Sequence, residues 1–441
     1  MWTVRHHQGF FKKRVVTSAL ALWLAIVTSL FGIPTALSQD AKDLDALKET
    51  PAEINIYWED IDNPARQDAS SSVEPNAPLH NAPQVTTTPP ASGAPVTATQ
   101  PAEDINNTHQ TLTPFLPLTA VANEPPKIAL LVPTKTPAYS VAAQTVLAGF
   151  TKAAASANAM PSCVVIEHGI GEFFNAYNDA IRQGARVVVG PLVRDDLTEL
   201  AKTTPPLWTI ALTQMEDFHA AMPSSVLFLT LAIESDAKLL AREIALSSRS
   251  GIPVILTNES PLMKRFTDAF IDEWTALGKD MRPERIVFEN SKLSLLKTRL
   301  GELSPSVVVL AVDGDDAALA RAQTRAWPTY ASSHIYRRAV QFEGYALDAL
   351  RVAEIPWLIQ PSAETFRALG TQPQLPALAR LYALGFDAFQ VAQQFLGGTP
   401  DSFSFWGASG NISFNLENGL SRYGQLGVFE EGRLRALNAQ R

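Results

Sequence analysis

The chain is short of cysteine, histidine and glycine-rich loops, on which much of catalysis and cofactor binding depends. Cysteine occurs once in 441 residues, at Cys163, so an intrachain disulfide is excluded, and within the apolar run CVVIEHG the thiol is expected to be buried and structural. The seven histidines, His6, His7, His80, His109, His168, His219 and His334, never stand at ligand spacing from Cys or acidic partners, so no metal site is indicated. Basic residues are in deficit, 36 Lys and Arg against 44 Asp and Glu for a net charge of -8. That balance argues against nucleic acid as a partner, because such binders need clustered cations to displace counterions. A glycine-rich phosphate loop is missing as well: Gly169-Ile170-Gly171 lacks the third glycine of a dinucleotide loop and reads as a turn. Ser294-Leu295-Leu296-Lys297 matches the S-x-x-K of penicillin-binding enzymes and Ser156-Ala157-Asn158 matches S-x-N. Their order is wrong and K-T-G is absent, while Leu293 and Leu296 mark an ordinary amphipathic helix. Asp313, Asp315 and Asp316 read as the solvated start of a helix. No catalytic set remains, and neither an enzyme nor a cofactor is expected.

What is present divides into three parts. Residues 1–38 open with the basic stretch MWTVRHHQGFFKKRVV and continue with the apolar TSALALWLAIVTSLFGI. Pro34 and the small-x-small site Ala36-Leu37-Ser38 suit cleavage before Gln39, whereas the length of the apolar stretch suits a retained anchor. Both readings mean export, with Lys12, Lys13 and Arg14 left on the cytoplasmic side and membrane contact confined to this segment. Residues 39–126 carry one apolar patch, INIYWEDI, and then Pro, Thr, Ala and Asn without periodicity. They are expected to form a disordered linker, partly polyproline II, whose last fifty or so residues reach at most on the order of 150 Å.

From Lys127 to Arg441 the composition is that of a folded domain. Apolar runs KIALLV, CVVIE, RVVVG, LWTIAL, VLFLT, PVILT, RIVFE and SVVVLAV alternate with amphipathic helices. The first helix places Ala142, Val146, Phe150 and Ala153 on one face; Asp196-Leu197-Thr198-Glu199 resembles a capping box. Asn418-Gly419 is a hairpin turn between two alternating strands. Such strands mean parallel sheets covered on both faces, and about ten of them are too many for one compact sheet. The fold class is therefore α/β, with two doubly wound, Rossmann-like lobes. Ligands of open parallel sheets sit beyond the carboxyl ends of the strands, so the cleft is expected to be lined by Thr134, Gly190, Pro191, Thr213, Thr257, Asn258 and Asp313. Gly190-Pro191 reads either as a rigid strand-to-helix turn or as a loop opening helix N–H groups toward a carboxylate.

The strings KIALLVP, VVVGPL, AFIDEW, EIPWLI, RLYALGFDAF and SGNISFN resemble, in that order, the LppC family of LpoA-like penicillin-binding protein activators, which have the type I periplasmic-binding-protein fold. EIPWLI and RLYALGFDAF are the distinctive parts. The resemblance implies a periplasmic, non-enzymatic regulator that binds a class A penicillin-binding protein, a peptidoglycan synthase, and stimulates its transpeptidase activity. Two departures accompany it. PTALSQD contains no lipobox cysteine, so acylation at the outer membrane is not expected, and residues 39–126 are too short and proline-rich for the helical-repeat domain of larger members. The competing expectation is a periplasmic solute receptor, which would hold a small molecule such as an amino acid through the hydroxyl, amide and acidic groups of the cleft residues.

Overall fold

The computed structural model describes residues 114–118, 125–215, 222–247, 251–279, 281–337 and 345–437. The segment expected to direct export, the span up to residue 113 expected to be linker, and His6, His7, His80, His109 and His219 lie outside the described residues. Among the described residues no helix is long and apolar enough to cross a membrane.

The first lobe follows the alternation of the sequence: β1 (Lys127–Val132), α1 (Pro137–Ser156), β2 (Cys163–Glu167), α2 (Phe173–Arg182), β3 (Ala185–Val189), α3 (Arg194–Ala201), β4 (Trp208–Ala211) and β5 (Val226–Phe228). The strands pair in the order β2-β1-β3-β4-β5, all parallel. Central β1 is buried from Ile128 to Val132, whereas edge strand β2 alternates in exposure. That is the pattern expected when helices cover both faces of a parallel sheet. Pro137 opens α1, and its Ala142, Val146, Phe150 and Ala153 are all buried. Cys163 starts the edge strand and is half-buried rather than enclosed; its Sγ donates to Ala159 O at 3.4 Å. The expected capping box is displaced. Helix α3 begins at Arg194 after Val193, so Asp196 lies inside the first turn instead of capping it.

The second lobe repeats the design with α4 (Ile233–Leu246), β6 (Pro253–Thr257), α5 (Pro261–Ala276), β7 (Glu284–Val287), α6 (Leu293–Leu303), β8 (Val307–Ala311), α7 (Gly314–Gln323), β9 (Thr329–Ala331) and β10 (Leu350–Glu354). Its parallel part reads β7-β6-β8-β9-β10, the same relative order as the first sheet, and is extended by the antiparallel β14 (Gln425–Glu430) and β15 (Arg433–Ala436). One face of this sheet packs on α4 and α5 through Leu240, Phe266 and Phe270; the other packs through Leu300, Ala320 and Phe429.

The chain passes between lobes three times. Residues 229–232 lead out of β5 into α4. Beyond β10, the short α8 (Pro356–Ile359) leads to the long α9 (Pro376–Leu396), which packs back on α1 and β3 of the first lobe. A third passage runs through an antiparallel sheet of β11 (Ser402–Trp406), β12 (Asn411–Asn415) and β13 (Gly419–Tyr423) before β14 rejoins the second lobe. The hairpin expected at Asn418-Gly419 joins β12 to β13, with Gly419 at φ 69°.

Candidate functional site: the cleft between the lobes and its buried hinge

The residues expected to line the cleft separate into local groups. In the second lobe Asn258 Nδ2 donates to Asp313 Oδ2 at 3.1 Å, and Asp313 in turn faces Arg337 at 3.9 Å. Thr257 is fully buried, and its hydroxyl accepts from Glu259 N at 3.1 Å, an internal turn contact. In the first lobe Thr134 donates to the Glu167 carboxylate on the neighbouring strand's end. Gly190 and Pro191 are buried and joined by a cis peptide bond. Gly190 has φ 121°, donates its N–H to Ile210 O at 2.8 Å, and leaves no room for a Cβ, which would lie 2.9 Å from Leu131 O. Pro191 O accepts from Leu212 N at 2.9 Å. These backbone groups are satisfied inside the sheet, so the geometry here is that of the rigid turn.

Thr213 does reach the space between the lobes. It lines a cavity of about 60 Å³ together with Arg194, Gln214, Thr230, Arg265 and His334. Solute pockets run to roughly 300–1,000 Å³, so this one has room for a few waters only. Two of its lining residues are bridged across the lobes by Glu234: Gln214 of the first lobe donates to Glu234 Oε2 at 3.1 Å, and Arg265 of the second donates to Glu234 Oε1 at 2.7 Å. Burial, with the Arg380 and Arg265 charges, pushes the His334 imidazole down to about 3, so it is neutral at physiological pH. The other described histidine, His168, belongs to the first lobe, and burial also lowers its pKa. Among the described residues no group of three or more His, Cys, Asp or Glu is arranged to hold a metal ion. Ser294 and Lys297 are both exposed on α6, whose buried residues are Leu296 and Leu300.

Below the cavity lies the feature that sequence reasoning missed, a buried ionic network at the three passages between lobes. Glu354, at the end of β10, is 1% exposed; its Oε2 accepts from Arg380 Nη2 and from the Tyr336 hydroxyl, each at 2.6 Å, and its Oε1 accepts from Arg380 Nε at 3.1 Å and Ile355 N at 2.7 Å. Arg380, in the first turns of α9, also donates to Ser333 O at 2.7 Å. Ser333 then gives its N–H and hydroxyl to the buried Asp236 of α4 at 3.0 and 2.7 Å. Two helix turns further along α9, Asp387 accepts from Ala408 N at 3.0 Å and from both Ser409 N and Ser409 Oγ at 2.6 Å. Arg422 of β13 closes the block by donating to Ser409 O and, at 2.7 Å, to Thr230 O in the first passage.

Every strong buried charge here has hydrogen-bonded partners, as low dielectric demands. Burial alone would depress the Arg380 guanidinium, but Glu354 beside it holds its pKa above the usual arginine range. Burial pushes Asp236 and Asp387 up to about 6 against the opposing pull of their hydrogen bonds and of Arg422. The signal for this network was in view without being read as one: Glu354 opens EIPWLI, Arg380 and Asp387 belong to RLYALGFDAF, and Ser409 opens SGNISFN. In the fold these strings lie at the passages between the lobes.

Two lobes of equal strand order joined by three passages define a type I periplasmic-binding-like protein. The family model described as "LppC putative lipoprotein" matches residues 108–295, and the resemblance to LpoA-like activators read from the sequence is borne out by curated relatives. Penicillin-binding protein activator LpoA of Klebsiella pneumoniae is 26% identical over 296 residues, covering 58% of this chain and 42% of that protein. The LpoA of Escherichia coli K12 is 24% identical over 289 residues, covering 55% and 42%. The chain thus matches less than half the length of these relatives. Among solved structures, the LpoA C-domain from Haemophilus influenzae, a regulator of PBP1A, superposes with a TM-score of 0.59 at 18% identity, covering 70% of this chain and 99% of that one. A "putative branched-chain amino acid ABC transporter" from Chromobacterium violaceum superposes with a TM-score of 0.60 at 27% identity, covering 69% and 99%. The expected two-lobed fold stands.

Proposed function

We propose that the chain is a non-enzymatic activator of a class A penicillin-binding protein in periplasmic peptidoglycan synthesis. It acts through protein–protein contact, with residues 127–441 as the working domain and the preceding segment as its tether to the exported N-terminus. The observation that carries this reading is the part of the cleft formed by the described residues: the cavity that Thr213 lines is about 60 Å³ and sits above a hinge filled by the protein's own charged side chains, which leaves little there for a solute to do. The similarity to proteins named as activators supplies the partner class. Catalysis by the chain is not part of the reading, because Ser294 and Lys297 stand exposed on a plain helix face with nothing to activate them.

The test is reconstitution. Adding the exported protein to a class A synthase should raise peptide crosslinking with no small molecule present, while the protein alone should neither crosslink nor hydrolyse peptidoglycan, nor be labelled by a fluorescent penicillin. Stimulation that appears only with an added amino acid, or none with any class A synthase of the same cell, would overturn the proposal in favour of a receptor.

A further inference from the structure

Phe115 is the only Phe, Tyr or Trp between Trp58 and Tyr139, and it stands within the span expected to be linker. Yet it is 9% exposed and joins the core of the first lobe. Its ring lies edge-on to Phe174 at 5.5 Å and tilted on Tyr177 at 4.8 Å, both residues of α2. The backbone on either side of the ring is held by a single side chain: Asn178 Nδ2 donates to Pro114 O at 2.8 Å, and Asn178 Oδ1 accepts from Leu116 N at 2.7 Å. Leu116, Pro117 and Leu118 face solvent.

We propose that this face of α2 is a peptide-docking site, occupied by the chain's own Pro114–Leu118, and that Phe115 pins the tether to the first lobe. The recognition logic is that of a peptide groove in miniature. One aromatic residue supplies apolar burial, about 25 cal/mol for each Å² removed from water, and an amide side chain pairs with the main chain on both sides as a neighbouring strand would. Pro114 and Pro117 bracket the anchor and fix φ at two of its five positions, so less entropy is lost on docking. An Asn reading both backbone groups ignores the neighbouring side chains, so specificity rests on the aromatic residue and the bend of the chain that carries it. The free tether then ends at residue 113, not 126. Release of the anchor would add thirteen residues, roughly 40 Å of reach at full extension. The docked state makes α2 the point from which the domain is held.

The full-length chain tests this with Phe115→Ala and, separately, Asn178→Ala, which leaves the ring in place and removes only the backbone clamp. Limited proteolysis of the parent should yield a resistant fragment that retains Pro114–Leu118, and both variants should move its start to near Pro125. A labelled nonapeptide with the sequence of residues 111–119 should bind the Phe115→Ala chain, and bind the parent at least about tenfold more weakly, because the site is nine-tenths or more occupied in cis. The same peptide with Ala in place of Phe should bind neither. An unchanged fragment start in both variants, or a peptide that does not discriminate parent from variant, would overturn the proposal.

Discussion

Gly149 of α1 and Gly385 of α9 face each other's helix backbones so closely that neither can carry a side chain. A Cβ on Gly149 would lie 2.0 Å from Tyr382 O, and one on Gly385 would lie 2.1 Å from Val146 O. This reciprocal contact lets α9, which has just left the second lobe, settle on the first. It also makes a prediction whose sign is diagnostic. Glycine to alanine inside an isolated helix stabilises by roughly 0.5–1 kcal/mol, whereas Gly149→Ala and Gly385→Ala here should each destabilise by about 1–3 kcal/mol or more through overpacking against backbone that cannot yield. Urea unfolding followed by circular dichroism decides between the two signs.

The Arg380–Glu354 pair should behave as a buried pair whose halves depend on each other. Arg380→Met leaves Glu354 enclosed without its cation, and Glu354→Met leaves Arg380 without its anion; each should cost about 3–5 kcal/mol. Replacing both together by methionine removes the charge problem, so the double variant should lose clearly less than the sum. A double-mutant cycle from urea midpoints measures the coupling, and additivity would show that the two residues act separately.

Much of the fold was legible in the sequence, and the residues show why. Strands such as VVVLA and PVILT are buried at every position, which leaves an unbroken apolar run in the sequence. By contrast β9 is only three residues, and β10 carries Arg351 and Glu354 within five, so neither gives a continuous apolar run. Asp196 misled because an acidic residue three before Glu199 looks like a cap, while the helix start is set by Val193 in extended conformation. The residues expected to line the cleft lie at or just beyond strand ends, but strand-end position does not say whether a group points to a ligand or, as with Gly190 and Thr257, is satisfied within its own lobe. The hinge network was illegible for a different reason. Its members come from six segments running from Asp236 to Arg422, and no local pattern announces that charges so far apart will be buried together. Phe115 was hidden by its proline-rich surroundings.

Two variants separate the pH response of the fold. Asp196 is buried with an unpartnered Oδ2, and burial followed by repulsion from Asp195 pushes it up to about 6. Its folded pKa lies above the unfolded value of about 3.9, so the folded state holds the extra proton and this group's contribution to stability falls as pH rises from about 4 to 6. Asp196→Asn should therefore match the parent near pH 4 and melt on the order of a few degrees higher at pH 7. His334 has the opposite sign. Its folded pKa of about 3 is below the unfolded 6.5, so its contribution is lost as pH falls from about 6.5 toward 3, and His334→Gln should gain on the parent on acidification. Melting curves from pH 4 to 7.5 check both signs, and parallel profiles for parent and variant would show that the group does not titrate differently on folding.

Filling the cavity separates a surface-acting activator from a receptor most directly. Thr213 lines it from the first lobe, opposite Arg265 and His334 of the second, and about 60 Å³ is too little to admit an indole beside anything else. A Thr213→Trp chain would have its two lobes propped at the observed separation or slightly wider. If the protein works through an outer face, stimulation of a class A synthase should stay within about twofold of the parent, the scale of an energetically neutral surface change. If activation needs the lobes to close on one another or on a solute, the same variant should lose it while keeping a native circular dichroism spectrum and a cooperative melt. Gly190 is the wrong residue for this experiment, since φ 121° and Leu131 O at 2.9 Å make any substitution there a folding defect first. Thr213 is half-exposed and its substitution leaves the ionic hinge beneath it intact, so a folded Thr213→Trp protein that fails to stimulate would place the cleft inside the activating mechanism.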